Sequence, residues 1–207
     1  MSTQPGDVVL FQSANKLAGL QRGVTWSEWD HCGLVVELYG RRNLHLLEST
    51  GDGVKSYPFV PRIRAYAVEF CKYMAIRRLS GPRRRRFRTS MKEFTASVKG
   101  AKYNLGIRKL LTKQTFEASA ERGFFCSELV AAAWQETKVM NMEKAANQFW
   151  PTDFAEGGVV EKSLMTGWTM EPTVLIDTRV LEVGKSKVRV SVGVNPASAA
   201  PPIEVDI

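Results

Sequence analysis

Two short stretches far apart in the chain carry the residue types of thiol chemistry: WDHCGLVVEL, with His31, and GFFCSELVAAAW, with Cys126. An imidazole stands at the start of an apolar strand and a thiol at the start of an apolar helix. A thiol and an imidazole that meet in the fold make a nucleophile and its base. The chain has two histidines and three cysteines, so each candidate can be weighed singly. A thiol at a helix N-terminus sits at the positive end of the macrodipole, which favours thiolate, and a neighbouring imidazolium favours it further. Backbone N–H groups at that terminus can also hold an oxyanion. The competing reading of Cys126 is a buried structural cysteine. Position alone leaves both open.

Strand alternation places His31, Gly33, Val35 and Glu37 on one face, with Gly33 leaving space beside the imidazole, and Cys32, Leu34, Val36 and Leu38 on the other. If Leu38 pairs with Asn43 across a four-residue turn, Gly33 faces Glu48 and His31 lies diagonally from it, within reach of a long side chain. A carboxylate there would orient His31 and stabilise its protonated form. A one-residue slip would destroy that geometry. Asp30 and Asp52 are rivals for the role. His45, between Leu44 and Leu46, reads as structural or solvent-facing.

The elements that must position these groups follow from pattern. Residues 6–12 read as a β segment, 13–25 as a short helix and loop, and 31–49 as an antiparallel hairpin turning at Tyr39-Gly40-Arg41-Arg42. Gly51 and Gly53 then break the chain, and 54–59 reads as another strand. YAVEF and YMAIRRL, within 66–79, read as one or two more. Phe87, Met91, Phe94 and Val98 recur at helical spacing, which predicts an amphipathic helix over 82–99, opened by Pro82 and ended by Gly100. Residues 126–137 read as a helix apolar nearly all round, hence buried. Trp150-Pro151-Thr152-Asp153 reads as a loop and the cap of a short helix. Val188, Val190, Val192 and Val194 alternate with polar residues as one half-buried strand.

The 207 residues suit one domain with a tail, and no internal repeat is visible. We expect a main domain over 1–183, an additional strand over 184–194 and a flexible tail over 195–207. No run of about 18 apolar residues is present. The N-terminus does not read as a signal peptide, and the odd cysteine count reads as reduced thiols, so the expectation is a cytoplasmic protein. No ligand spacing suggests a metal, and no cofactor is expected. Net charge is +8, much of it in RRLSGPRRRRFR, from Arg77 to Arg88. Such a run attracts an anionic membrane or another phosphate-rich partner, although a solvated helix face is the commoner explanation. Aromatic-rich single-strand motifs are missing, so nucleic acid is not expected.

The order DHCGLVVE, LLESTGDGV, GAKYN and FFCSELVAAAW, after an opening GDVVLFQ, resembles the circularly permuted, NlpC-type branch of papain-like cysteine hydrolases, and within it the YiiX-like group. The likeness spans roughly residues 5 to 155, and FCSELVA is its most specific part. It implies an α+β fold, a small antiparallel sheet or barrel packed against helices. Cys126 would be the nucleophile, His31 the base and Glu48 the orienting residue, with Tyr103 and Ser127 as substrate-binding candidates. Such proteins are similar to thiol peptidases and amidases; relatives in the wider permuted group move or remove fatty acyl chains. The family often has Tyr-Asp where this chain has Tyr103-Asn104. The expected activity is cleavage of an amide or ester through a covalent thioester, on a peptide, amide or acyl-lipid substrate. The alternatives are a lipid-directed acyltransferase or phospholipase at anionic membranes, and a catalytically silent basic binding module.

Overall fold

The computed structural model describes residues 2–14, 28–40, 42–102, 124–176, 187–192 and 203–206. Among them the strands are β1 (Val8–Ser13), β2 (His31–Glu37), β3 (Leu44–Thr50), β4 (Gly53–Pro58), β5 (Cys71–Arg77), β6 (Leu79–Ser80), β7 (Thr169–Met170), β8 (Val174–Ile176), β9 (Lys187–Val192) and β10 (Ile203–Asp206). The α-helices are α1 (Phe59–Glu69), α2 (Arg85–Val98), α3 (Cys126–Glu136) and the single turn α4 (Val160–Ser163). Eight strands form one antiparallel sheet in the order β10-β9-β8-β5-β1-β2-β3-β4, and β6 pairs with β7 apart from it.

Period-two alternation gives this sheet two apolar faces. Val8, Leu10, Cys32, Leu34, Val36 and Leu47 pack with Phe87, Met91 and Phe94 of α2 and with α3. Val9, Phe11, Val35, Leu46, Met74 and Ile76 pack with Phe59 and Ile63 of α1. The fold is thus α+β, an antiparallel sheet covered by helices on both sides. Cys126 to Gln135 of α3 are all buried, which is why that segment is apolar on every side.

The β2–β3 register is the one a turn at residues 39–42 implies. Leu34 lies opposite Leu47 and Glu37 opposite Leu44, and Leu38 N–H donates to Asn43 O at 3.0 Å. Tyr39, Gly40 and Arg42 take positive φ there. Gly53 is also demanded by the fold: its φ is +89°, and a Cβ would lie 2.6 Å from the carbonyl oxygen of Ala101. That approach lets Val54 N–H donate to Ala101 O at 2.7 Å.

YAVEF is not a strand. It completes α1, because Phe59, Ile63, Tyr66 and Ala67 share a helical face that covers the sheet, and Pro61 falls in the first turn, where proline is tolerated. Aromatic and β-branched content favoured a strand; burial against the sheet decided for the helix. The expected helix over 82–99 spans Arg85–Val98, with Gly100 at φ +84° beyond its end. Trp150 N–H donates to Asp153 Oδ2 at 2.9 Å, opening a 3-10 turn over Pro151–Phe154. The valine strand is β9, joined to the main sheet through β8. The segment expected to be a flexible tail contains β10, which pairs with β9. The helix expected over 13–25 falls largely outside the described residues.

Candidate active site

β2 begins at His31, and the residue before it fixes that strand end. Asp30 accepts from Ser13 N–H at 3.0 Å and from the Ser13 hydroxyl at 2.7 Å, while its own N–H donates to Phe11 O. Asp30 therefore ties β2 to β1 and is occupied there. His31 lies opposite Phe11 in the ladder, with ring centroids 5.3 Å apart. The space expected beside Gly33 is filled: a Cβ there would lie 2.8 Å from Leu46 Cδ1. Asp52 is exposed and pairs with Lys55 at 3.4 Å. His45 is buried, with Nδ1 3.3 Å from Asn43 O.

Glu48, on β3, has no exposed surface. Its Oε2 lies 3.3 Å from His31 Nε2 and accepts from the Tyr66 hydroxyl at 2.9 Å. Its Oε1 accepts from Arg62 Nε at 2.5 Å and is ion-paired with Arg62 Nη2. The guanidinium lies 4.0 Å over the Tyr57 ring and 4.6 Å over the Tyr66 ring.

Cys126 is the first residue of α3 and is 7% exposed. The His31 and Cys32 side chains both act electrostatically on its sulfur. The start of α3 is held from several sides. The Ser49 hydroxyl donates to Phe124 O at 2.8 Å, the Glu128 carboxylate accepts from Phe125 N–H at 3.3 Å, and the Ser127 hydroxyl donates to Phe149 O at 2.6 Å. Ser127, expected to bind substrate, is fully buried, and its hydroxyl anchors the helix start in this way. Tyr103 lies outside the described residues.

Burial alone would drive the His31 ring towards neutrality. The Cys126 sulfur, and after it Glu48, more than reverse this and hold the imidazole up to about 10. Cys126 is pulled well below the usual thiol range, first by the hydrogen bond from Cys32, against burial, and then by His31. Burial raises Cys32, and its bond to Cys126 raises it further, so Cys32 remains a thiol. Burial also opposes charge on Glu48, but His31, Arg62 and Tyr66 together hold it below the usual carboxylate range. These shifts all run towards a thiolate beside an imidazolium, backed by a carboxylate and a guanidinium.

Sequence reasoning missed Arg62, Tyr66 and Cys32. Arg62 and Tyr66 are four residues apart and share a helix face. Reading the segment after Pro58 as helix would have paired them. The basic run is smaller at the surface than in sequence. Arg77 is 1% exposed, donates to Phe154 O at 3.2 Å and is ion-paired with Glu161. Arg83 bonds Pro5 O at 2.8 Å and Asp7 at 2.9 Å. Arg84, Arg85, Arg86 and Arg88 are exposed.

Among the described residues, no three His, Cys, Asp or Glu side chains are arranged to hold a metal ion, and no helix is long and apolar enough to cross a membrane. The family model for permuted papain-like amidase enzymes, YaeF/YiiX, C92 family, matches residues 2–178, which leaves β9 and β10 beyond the match. The crystal structure of metalloprotein yiiX from Escherichia coli O157:H7 is similar in fold, with a TM-score of 0.50 and 16% identity, over 83% of this chain and 91% of that one. No curated protein matches the chain.

Proposed function

The chain belongs to the permuted papain-like amidase family, and from that membership we propose that it is a thiol hydrolase of peptidase or amidase type with Cys126 as nucleophile. One observation carries the reading: the His31 and Cys126 side chains act on one another electrostatically, and His31 Nε2 faces the buried Glu48 carboxylate.

In this reaction the Cys126 thiolate attacks the carbonyl carbon of an amide or ester. The C–S bond forms and the carbonyl π pair moves to oxygen. First-turn N–H groups of α3, which lack intrahelical acceptors, stabilise the oxyanion. The tetrahedral intermediate collapses, the C–N or C–O bond breaks, and the His31 imidazolium gives its proton to the leaving amine or alcohol. The neutral imidazole then takes a proton from water, whose oxygen attacks the thioester. The carboxylic product leaves and the ion pair is restored. Glu48 fixes the ring's tautomer throughout. Three free cysteines support a reducing compartment, and we place the protein in the cytoplasm.

The test is a thiol-directed electrophilic probe followed by a library of peptide, amide and ester substrates. The reading expects Cys126 to label fastest and to carry turnover. If Cys126 alkylates no faster than Cys71, the chain is a silent binding module and the reading fails. A lipid-directed acyltransferase is the second reading, favoured by the exposed Arg84, Arg85, Arg86 and Arg88. Salt-sensitive binding to anionic vesicles, with acyl turnover only in their presence, would select it. Peptide cleavage without lipid would reject it.

A further inference from the structure

We propose that Arg62 and Tyr66 of α1 are positioning residues for this hydrolysis, holding the Glu48 carboxylate charged and aimed at His31. The inference rests on the thiol hydrolase reading above. Arg62 is 23% exposed at its side chain, yet two of its nitrogens engage the same Glu48 oxygen. The Tyr66 hydroxyl donates to the other oxygen, the one that faces His31, and accepts from Arg62 Nη2 at 3.2 Å. Glu48 can therefore neither rotate away from the imidazole nor slide along it. The clamp is itself fixed: the guanidinium lies over the rings of Tyr57 and Tyr66, and the Tyr66 ring packs 4.5 Å from that of Phe11.

Charge balance gives the clamp its chemical consequence. A fully buried carboxylate is costly unless paired. The titratable groups around Glu48 come from several packed elements: His31 from β2, Arg62 and Tyr66 from α1, and the Cys71 thiol from β5. Lys55, its ladder neighbour on β4, is instead paired with Asp52. Among the described residues, His31 and Arg62 supply the compensating positive charge, and His31 shares its own with Cys126. Without the guanidinium, Glu48 takes up a proton at higher pH. A neutral carboxyl no longer supports the imidazolium, and the imidazolium no longer supports the thiolate. Loss of Arg62 thus reaches the nucleophile without touching it.

The experiment alkylates the whole protein with iodoacetamide across a pH series and reads Cys126 by peptide mass, in wild type, Arg62→Met, Arg62→Lys and Tyr66→Phe. Cys71 contributes little thiolate, since burial pushes it up to about 12. In Arg62→Met the acid limb of Cys126 labelling should move up by about half a unit or more, about a threefold loss of rate on that limb. Arg62→Lys, which keeps the charge, should recover most of it. Tyr66→Phe, which keeps the ring packing, should shift the limb less and in the same direction. A purely structural clamp would lower the folded fraction but leave the limb of the folded protein in place. An Arg62→Met limb that coincides with wild type overturns the proposal. If Arg62→Met does not fold, a Tyr66→Phe limb that coincides with wild type overturns it. Failure of the hydrolase reading looks different: wild-type Cys126 would show no lowered limb at all.

Discussion

Replacing Glu48 by Gln keeps the side-chain volume and removes the charge. Four donor positions converge on the two carboxylate oxygens: Arg62 Nε and Nη2, the Tyr66 hydroxyl and His31 Nε2. An amide has one acceptor oxygen, so in either orientation its NH2 meets donors. If the NH2 faces His31, it donates to Nε2 and favours the neutral tautomer with its proton on Nδ1. If it faces Arg62, a partly buried guanidinium loses its counter-charge. The His31–Glu48 contact is a hydrogen bond between charged groups, worth about 1.5–3 kcal/mol. That energy corresponds to about 1–2 pKa units. Loss of the carboxylate disfavours the protonated ring, so the shift is downwards. His31, held at about 10 in the wild type, should then titrate at about 8–9. With two histidines in the chain, ¹⁵N-imidazole NMR resolves His31 from His45 without any substrate. A Glu48→Gln midpoint unchanged from wild type would show that the carboxylate does not support the imidazolium, and the orienting role assigned to it would be wrong.

Cys126 raises His31 more than Glu48 does, so Cys126→Ala should lower the same NMR midpoint further than Glu48→Gln; the reverse order would contradict the charge arrangement described above. Cys126→Ala should also cut turnover by about three orders of magnitude or more with little loss of thermal stability, and a collapse of the fold instead would mark a core thiol. Turnover should be lost as pH rises through about 10, because the imidazolium that protonates the leaving group is then deprotonated; an alkaline limb near the ordinary histidine value would exclude the ion pair. Cys32→Ala removes the hydrogen bond that most lowers Cys126 and should move its alkylation limb upwards, whereas Cys32→Ser, with a donor in place, should move it less. Ser49→Ala removes the hydroxyl that donates to the Phe124 carbonyl oxygen, two residues before Cys126, and should cost about 0.5–1.5 kcal/mol in chemical denaturation; an unchanged midpoint would remove that anchor from the account.

Much of the site was legible in sequence because its carriers obey short-range rules. Alternation fixed which side of β2 carries His31, and the turn at residues 39–42 fixed the register that brings Glu48 to the same face. Cys126 was marked by an apolar helix starting at that residue. These are period and turn effects, which nearby residues encode. That the Ser127 hydroxyl donates to Phe149 O was not legible, because nothing local in the sequence brings that carbonyl to it. Arg77 and Arg83 read as surface charge because their acceptors lie far away in sequence, at Phe154, Glu161, Pro5 and Asp7.

Sequence by itself determined the chemistry available: one thiol at a helix start, one imidazole at a strand start, and a carboxylate two residues out of line across a hairpin. Tertiary structure decided what state those groups occupy. It folded α1 over the sheet where a strand was expected, and so placed the Arg62 guanidinium on a carboxylate with no access to water. It also brought the Cys32 thiol beside the Cys126 sulfur. Ionisation in a buried cluster depends on the summed field of all neighbours and on exclusion of solvent. Neither quantity exists until distant segments of the chain have packed together.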